Sequence, residues 1–354
     1  EAIERLRLGF AVMLRHGSIR RDIDALVSLV TKNKKLNTGR VMLTPDWKSP
    51  SDILEEGYMD HLVRLVIESG VFPVTAIQMA TLNPAVYLHL DREFGGLAPG
   101  RKADILLVDD LKNPTPGKVI ADGRIVALDG KCICIPPSLR DSARNIPWLA
   151  HRILPARIGP PDFIVKGSSS TGHMTIPTIS IADKTITQRK DISFPIRDGQ
   201  IHLPPDQDIL KISLLNRSST GFMTAFLTGF GAKIGGLAAS VAHENHRPMV
   251  VGCREEDMVA ALLQMREIDG GMVLVDRERI LKEIPLPIGG IMSACSLNDV
   301  AVQMKDMNAA LRKAGCELED PVFSLGFLSF SALPWIRITP SGLLDVRKQE
   351  IIWT

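Results

Sequence analysis

The sequence has no apolar run of the roughly 18 to 20 residues that a helix needs to cross a bilayer. It has no long block of lysine and arginine, and its formal net charge is only +2, so composition gives no footing for a nucleic-acid partner. No basic, apolar and small-residue order of a secretory leader opens the chain. Cysteine is sparse, with Cys132, Cys134, Cys253, Cys295 and Cys316. An odd count without a dense framework excludes a disulfide scaffold and points to reduced thiols in a cytoplasmic protein. Cys132 and Cys134, separated by Ile133 in a strand-like run, fall on opposite faces. They make a poor metal pair and are expected as buried small hydrophobes. The glycine-rich stretch Gly229 to Gly236 lacks the Gly-Lys-Ser/Thr of a P-loop and reads as a turn into a strand.

What is present is ordinary for a globular protein: 354 residues, 45% hydrophobic and 23% charged, enough for two or three domains. The chain opens Glu1-Ala-Ile-Glu-Arg-Leu-Arg-Leu8, a helical pattern without an initiator Met or an N-cap, so preceding sequence is expected. To about residue 90, strand and helix signals alternate. Gly9 to Leu14 and Arg40 to Thr44 read as buried parallel strands. Ile19 to Val30, a segment opening at Pro50 and Asp52, Leu62 to Ile67 and Val74 to Ala80 have helical spacing. Glu55 and Glu56 are expected in early turns, where the helix dipole favours anions. The cluster Lys32, Lys34 and Lys35 reads as a solvated loop.

From Gly95 to Cys134 the texture is that of a small β-module, with a hairpin turning at Asp122-Gly123. Pro136 to Pro161 is Pro-rich and reads as a connection carrying the charged stretch Arg140 to Arg144. From Asp162 onward strands are expected to alternate loosely with helices. The clearest helices are Asp257 to Ile268 and Leu297 to Ala314, and Gly270-Gly271 marks the turn after the first.

Several segments together resemble adenine deaminase, of the amidohydrolase superfamily. Met79-Ala-Thr-Leu-Asn-Pro-Ala85 resembles the motif after the last barrel strand, and Gly96 to Val108 resembles strands of the superfamily's small β-sandwich. Ser240-Val-Ala-His-Glu-Asn-His246, Leu286 to Ser293 and Thr339 to Val346 resemble signatures of the C-terminal domain peculiar to adenine deaminases. The resemblance implies an α/β fold: residues 1–92 as the C-terminal part of a (β/α)8 barrel, 93–135 as β-sandwich strands, 136–161 as a linker, and 162–354 as the C-terminal domain. The two apolar strands would be barrel strands seven and eight, and active sites of such barrels lie at the C-terminal ends of the strands. Further metal ligands would lie upstream of Glu1, which leaves this chain inactive by itself.

On this resemblance Asp46 is the expected catalytic residue and a metal ligand. A divalent ion, manganese or iron, lowers the pKa of bound water, and a neighbouring carboxylate moves the proton. Asp46 also has a plain reading as a cap for the helix near Ser49 to Asp52. Arg15, His16 and Ser18 follow strand seven as candidate pocket residues. Alternatively, they form a turn at Gly17 with Ser18 capping the next helix. His243, Glu244 and His246 are candidates for contact with substrate or metal, against a surface turn before Pro248. His61, His89, His151, His173 and His202 read as isolated.

The chain departs from the family pattern where adenine deaminases show Arg-Glu-Gly-Ser, Thr-Asp-Asp and His-Asp-Ser-His. It has Arg15-His16-Gly17-Ser18, Thr44-Pro45-Asp46-Trp47 and His243-Glu244-Asn245-His246. The implied reaction is hydrolysis of adenine to hypoxanthine and ammonia by a homo-oligomeric enzyme with a small purine as its partner. Another cyclic amidine or amide as substrate, or a non-catalytic fragment, are the alternatives.

Overall fold

In the computed structural model, residues 1–134, 154–205, 207–216, 218 and 220–354 are described. They fall into two compact units, Glu1–Pro137 and Ser138–Thr354. The stretch Arg140 to Arg144 and His151 lie outside the described residues.

In the first unit, α1 (Ala2–Arg7) leads to β1 (Val12–Arg15), which starts later than the apolar run suggests. The helical pattern from Ile19 to Val30 resolves into two single turns, α2 (Ile23–Leu26) and α3 (Ser28–Thr31), separated at Val27. β2 (Val41–Thr44) then lies parallel to β1, with Leu14 beside Leu43. β2 is buried along Val41, Met42 and Leu43, as its unbroken apolar sequence suggests, whereas in β1 Leu14 is buried and Met13 is exposed. Helices α4 (Pro50–Glu56), α5 (Met59–Glu68), α6 (Pro73–Ala80) and α7 (Leu82–Tyr87) follow.

α4 begins as its residues dictate, with Pro50 in the first turn and the Ser49 hydroxyl accepting from the Asp52 amide. Ser49 therefore holds the capping position considered for Asp46. α5 turns Leu62, Val63 and Val66 onto Leu14, Val41 and Leu43, the helical spacing seen in the sequence. Asn83 explains part of its motif. Its amide donates to the carbonyls of Thr38 and Val41, both at 2.8 Å, and fixes α7 to the chain entering β2.

The β-module is a four-stranded antiparallel meander: β3 (Ile105–Val108), β4 (Pro116–Ala121), β5 (Arg124–Leu128) and β6 (Lys131–Cys132). Asp122 and Gly123 make its central turn with φ of 49° and 75°, the positive pair that a two-residue hairpin requires. Cys132 and Cys134 are exposed, contrary to expectation. β6 is a two-residue edge strand, and Leu106, Ile125 and Ile133 of the same module are exposed too. Alternation alone could not reveal that this sheet lacks a covering layer among the described residues.

The second unit corrects the expected alternation of strands and helices. Its centre is one nine-stranded sheet: β7 (Gly172–Asp183), β8 (Ile186–Arg197), β9 (Gln200–Ile201), β10 (Ile209–Leu215), β11 (Phe222–Thr228), β12 (Gly236–Ala239), β13 (Met249–Gly252), β14 (Gly271–Asp276) and β15 (Arg279–Pro285). The spatial order is β15-β14-β12-β13-β10-β11-β7-β8-β9, and every pairing is antiparallel except β11 with β7.

Between β13 and β14 runs α8 (Glu255–Glu267). After β15 come α9 (Leu297–Lys313), capped by Ser296 and Asp299, and α10 (Pro321–Gly326). A three-stranded sheet of β16 (Ile336–Thr339), β17 (Gly342–Asp345) and β18 (Glu350–Trp353) closes the chain. Alternate residues of β12, β13 and β14 serve two cores. Leu237, Met249, Val251 and Leu274 meet Met307 and Leu311 of α9. Ala238, Val250 and Val273 meet Met258, Ala261 and Leu262 of α8. Burial on both faces erased the apolar-polar alternation by which half-exposed strands are recognised.

Buried polar groups tie the second unit together. Arg337 is fully buried and donates to the carbonyls of Leu333, Phe327, Thr185 and Pro334. Lys211, on β10, donates to the Phe163 carbonyl and pairs with Glu255 at the start of α8. Gly229 and Gly231, with φ near 80°, give their amides to the Asp208 carboxylate, so the glycine stretch is a turn as expected.

Candidate active site

The loops that follow β1 and β2 leave the C-terminal ends of parallel strands and are bound to each other. The His16 amide donates to the Thr44 carbonyl at 3.1 Å, and the Ser18 amide to the Trp47 carbonyl at 2.8 Å. The Ser18 hydroxyl accepts from the Ser49 amide at 2.7 Å, so Ser18 supports the loop after β2 and does not cap its own next helix. Gly17 is required here, because a Cβ at that position would lie 2.5 Å from the Trp47 carbonyl oxygen.

Asp46 sits at the turn of this assembly with φ of 50°, a left-handed conformation that is uncommon outside glycine and favoured among the rest by Asn and Asp. Its amide donates to the Thr44 hydroxyl at 3.2 Å. Its carboxylate is half-exposed and lies 3.4 Å from Arg15, whose guanidinium also donates to Asp22 at 2.9 Å. Arg15 thus links the first loop to the second. Asp46, Trp47, Lys48, Ile53 and Tyr58 line a cavity of about 560 Å³.

Behind this cavity is a charge cluster that the sequence did not show. Lys48, its side chain only 1% exposed, donates to Glu56 at 2.8 Å. Arg21 reaches the other Glu56 oxygen at 2.7 Å, and the His61 ring nitrogen lies 3.7 Å from the carboxylate. Glu56 ends α4, so it is in the last turn and not in the early turn expected for it. The dipole opposes a carboxylate there. Partial burial opposes it as well. The hydrogen bonds and charges of Lys48 and Arg21 outweigh both and hold the carboxyl down at about 2.

His16 is buried beside His61, ring centroids 5.8 Å apart, and its Nδ1 has no hydrogen-bond partner among the described residues. Burial, then the charge of Arg21, lowers its pKa. His61 was expected to be isolated, and the structure brings it into this cluster. Its pKa is lowered by burial and by Lys48.

In the second unit, His243, Glu244 and His246 share a tight turn, and the rings of His243 and His246 lie edge to face with centroids 6.3 Å apart. The His243 ring lies 4.4 Å from Phe327 and 5.9 Å from Phe330. Burial and the neighbouring His246 pull its pKa down to about 4. Glu244 accepts from the amide and hydroxyl of Ser331. Glu244 and His246 both have positive φ, 77° and 45°. Among the described residues, no group of three or more His, Cys, Asp or Glu could hold a metal ion. His89, His173 and His202 stay outside these clusters and are exposed.

Lys48 and Glu56 escaped the sequence reading because they are eight positions apart across a turn and a helix. Tyr58 was likewise invisible as a partner of Asp46 until α4 placed it at the same cavity.

Comparison with known proteins puts these loops in context. Residues 6–126 match the amidohydrolase family, and residues 184–350 match the adenine deaminase C-terminal domain. Adenine deaminase of Clostridium botulinum (strain 657 / Type Ba4) is 32% identical over 356 residues, 99% of this chain and 58% of that protein. The adenine deaminase of Methanothrix thermoacetophila is 36% identical over 351 residues, 98% of this chain and 59% of that protein. A solved β-aspartyl dipeptidase from Fervidobacterium islandicum shares 38% of this chain and 37% of its own at 20% identity and a TM-score of 0.30, too slight to bear on the fold. The region similar to amidohydrolases includes β1 and β2. Along nearly its whole length the chain is similar to adenine deaminases, and the match to their C-terminal domain lies within its second unit. The chain spans 58% or 59% of the length of these relatives.

Proposed function

We propose that the whole protein hydrolyses adenine to hypoxanthine and ammonia. The observation that carries this reading is Asp46: a half-exposed carboxylate at the C-terminal end of a parallel strand, beside a cavity, in a chain related to adenine deaminases along 99% of its length. In this reading residues 1–92 are the C-terminal part of a (β/α)8 barrel and β1 and β2 its strands seven and eight. Residues 93–135 supply β-sandwich strands, 136–161 connect, and 162–354 form the C-terminal domain. A cytoplasmic homo-oligomer with a purine as its small-molecule ligand completes it.

Water adds to the ring carbon that bears the amine, and Asp46 takes the proton released. The protonated carboxyl then gives that proton to the departing nitrogen, the carbon–nitrogen bond breaks, and ammonia leaves. Arg15 holds Asp46 in place for both transfers, while Ser18 and Gly17 fix the loop that carries it.

Manganese or iron belongs to this reading as the family's cofactor. The described residues do not fit a complete site for it: Asp46 is one ligand, and no group of three candidate ligands converges among them. The other ligands are placed outside these residues, and no step is routed through the ion. Asp46→Asn keeps nearly the same shape but cannot accept a proton. It is expected to lower ammonia release from adenine by at least about 10²-fold, the lower end for loss of a general base, with unchanged circular dichroism. Near-normal turnover would remove Asp46 from the mechanism. The altered residues His16, Pro45 and Trp47 make other cyclic amidines and amides the second set of substrates to assay.

A further inference from the structure

The cavity beside Asp46 has a lining that the reaction alone does not call for. Trp47 and Tyr58 face it from opposite ends of α4, one just before the helix and one just after it, and Ile53 lies between them in sequence. Lys48 also borders the cavity, but Glu56 draws its ammonium into the protein interior and leaves its side chain 1% exposed. The cavity is thus presented with one carboxylate, which Arg15 meets at 3.4 Å, two aromatic residues and an aliphatic side chain, while the Lys48 ammonium is withdrawn. Such a lining suits a ligand with apolar faces. A flat ring satisfies it by offering apolar faces to the aromatic side chains and an N–H edge to the carboxylate. Tyr58 is 46% exposed and Trp47 half-buried.

We propose that Trp47 and Tyr58 are specificity-determining residues that form the stacking wall for a planar heteroaromatic substrate, with Asp46 at the ring's N–H edge. The wall rests on the reading of this cavity as the deaminase site and adds to it the selection of aromatic over saturated rings. It also gives Trp47, a departure from the family pattern, a role of its own. Rings of this kind stack on aromatic side chains with an energy of about 1–3 kcal/mol per base, which is about 5- to 150-fold in affinity.

The test uses the whole protein and the variants Trp47→Leu, Tyr58→Leu and Trp47→Phe, each checked by circular dichroism. Two quantities are measured: the KM for adenine, and the dissociation constant for hypoxanthine by calorimetry, which needs no turnover. Each leucine variant is expected to raise both by about 5- to 150-fold with kcat little changed. Trp47→Phe, which keeps an aromatic face, is expected to recover most of the loss. If both leucine variants bind hypoxanthine and use adenine with unchanged constants, the wall is overturned and the deaminase reading stands. If the unaltered protein binds hypoxanthine through these rings but releases no ammonia from adenine, the deaminase reading falls and the wall stands. Failure of the unaltered protein to bind any purine overturns both.

Discussion

Glu56→Gln is the perturbation for which the structure gives the most direct magnitude. Glu56 gathers Lys48, Arg21 and His61 behind the cavity, and its carboxyl is pulled from 4.5 to about 2. A depressed carboxyl contributes stability that is present above its unfolded pKa and lost as the pH falls through its folded one. The window is therefore from about 4.5 down to about 2. At about 1.4 kcal/mol per pKa unit, the ionised group contributes about 3 kcal/mol at neutral pH. The amide also leaves the Lys48 ammonium without its carboxylate, but that is the same interaction seen from its other partner and does not add to this figure.

Urea denaturation at a series of pH values, read by pulsed hydrogen exchange of peptides containing β1 and β2, isolates the first unit. The variant is expected to be about 3 kcal/mol less stable at pH 7 and to show a flatter dependence below the unfolded pKa. Equal stability of the two proteins at pH 7, or an unchanged acid dependence, would refute the reasoning.

Two further perturbations concern the second unit. Arg337→Met removes a donor shared by four backbone carbonyls, of which those of Phe327 and Pro334 keep the amides of Phe330 and Thr187. At about 1–3 kcal/mol for a buried carbonyl left unsatisfied, a loss of at least about 1 kcal/mol is expected in urea denaturation, read by exchange in β16 and β17. His243 is held near 4 by burial and by His246, so it is neutral when folded but takes a proton when unfolded. Its depressed pKa makes stability fall as the pH drops from the ordinary histidine value of 6.5 toward 4, and His243→Gln is expected to flatten acid unfolding in that window.

Much of the first unit was legible because its elements carry local signals. Short apolar runs gave β1 and β2, Pro50 marked the start of α4, and Asp122-Gly123 fixed a hairpin. The second unit was harder for a physical reason. β12 and β13 are buried on both faces, so no polar residues mark their strand period, and only α8 and α9 stood out. At the candidate site, Asp46 and Arg15 were visible as residues following strands. The Lys48–Glu56 pair depends on how the last turn of α4 meets the loop before it, and spacing alone does not encode that meeting. Cys132 and Cys134 show the converse limit, since apolar neighbours predicted burial where the sheet leaves that edge exposed.

The most direct test of the central claim follows the oxygen atom. The whole protein is incubated with adenine in ¹⁸O-enriched water, and the products are analysed by mass spectrometry together with an ammonia assay. Hydrolytic deamination predicts hypoxanthine carrying one solvent oxygen, formed in a 1:1 ratio with ammonia, and loss of both products in Asp46→Asn. Adenine recovered unchanged with the whole protein folded, or labelled hypoxanthine formed equally well by Asp46→Asn, would contradict the account.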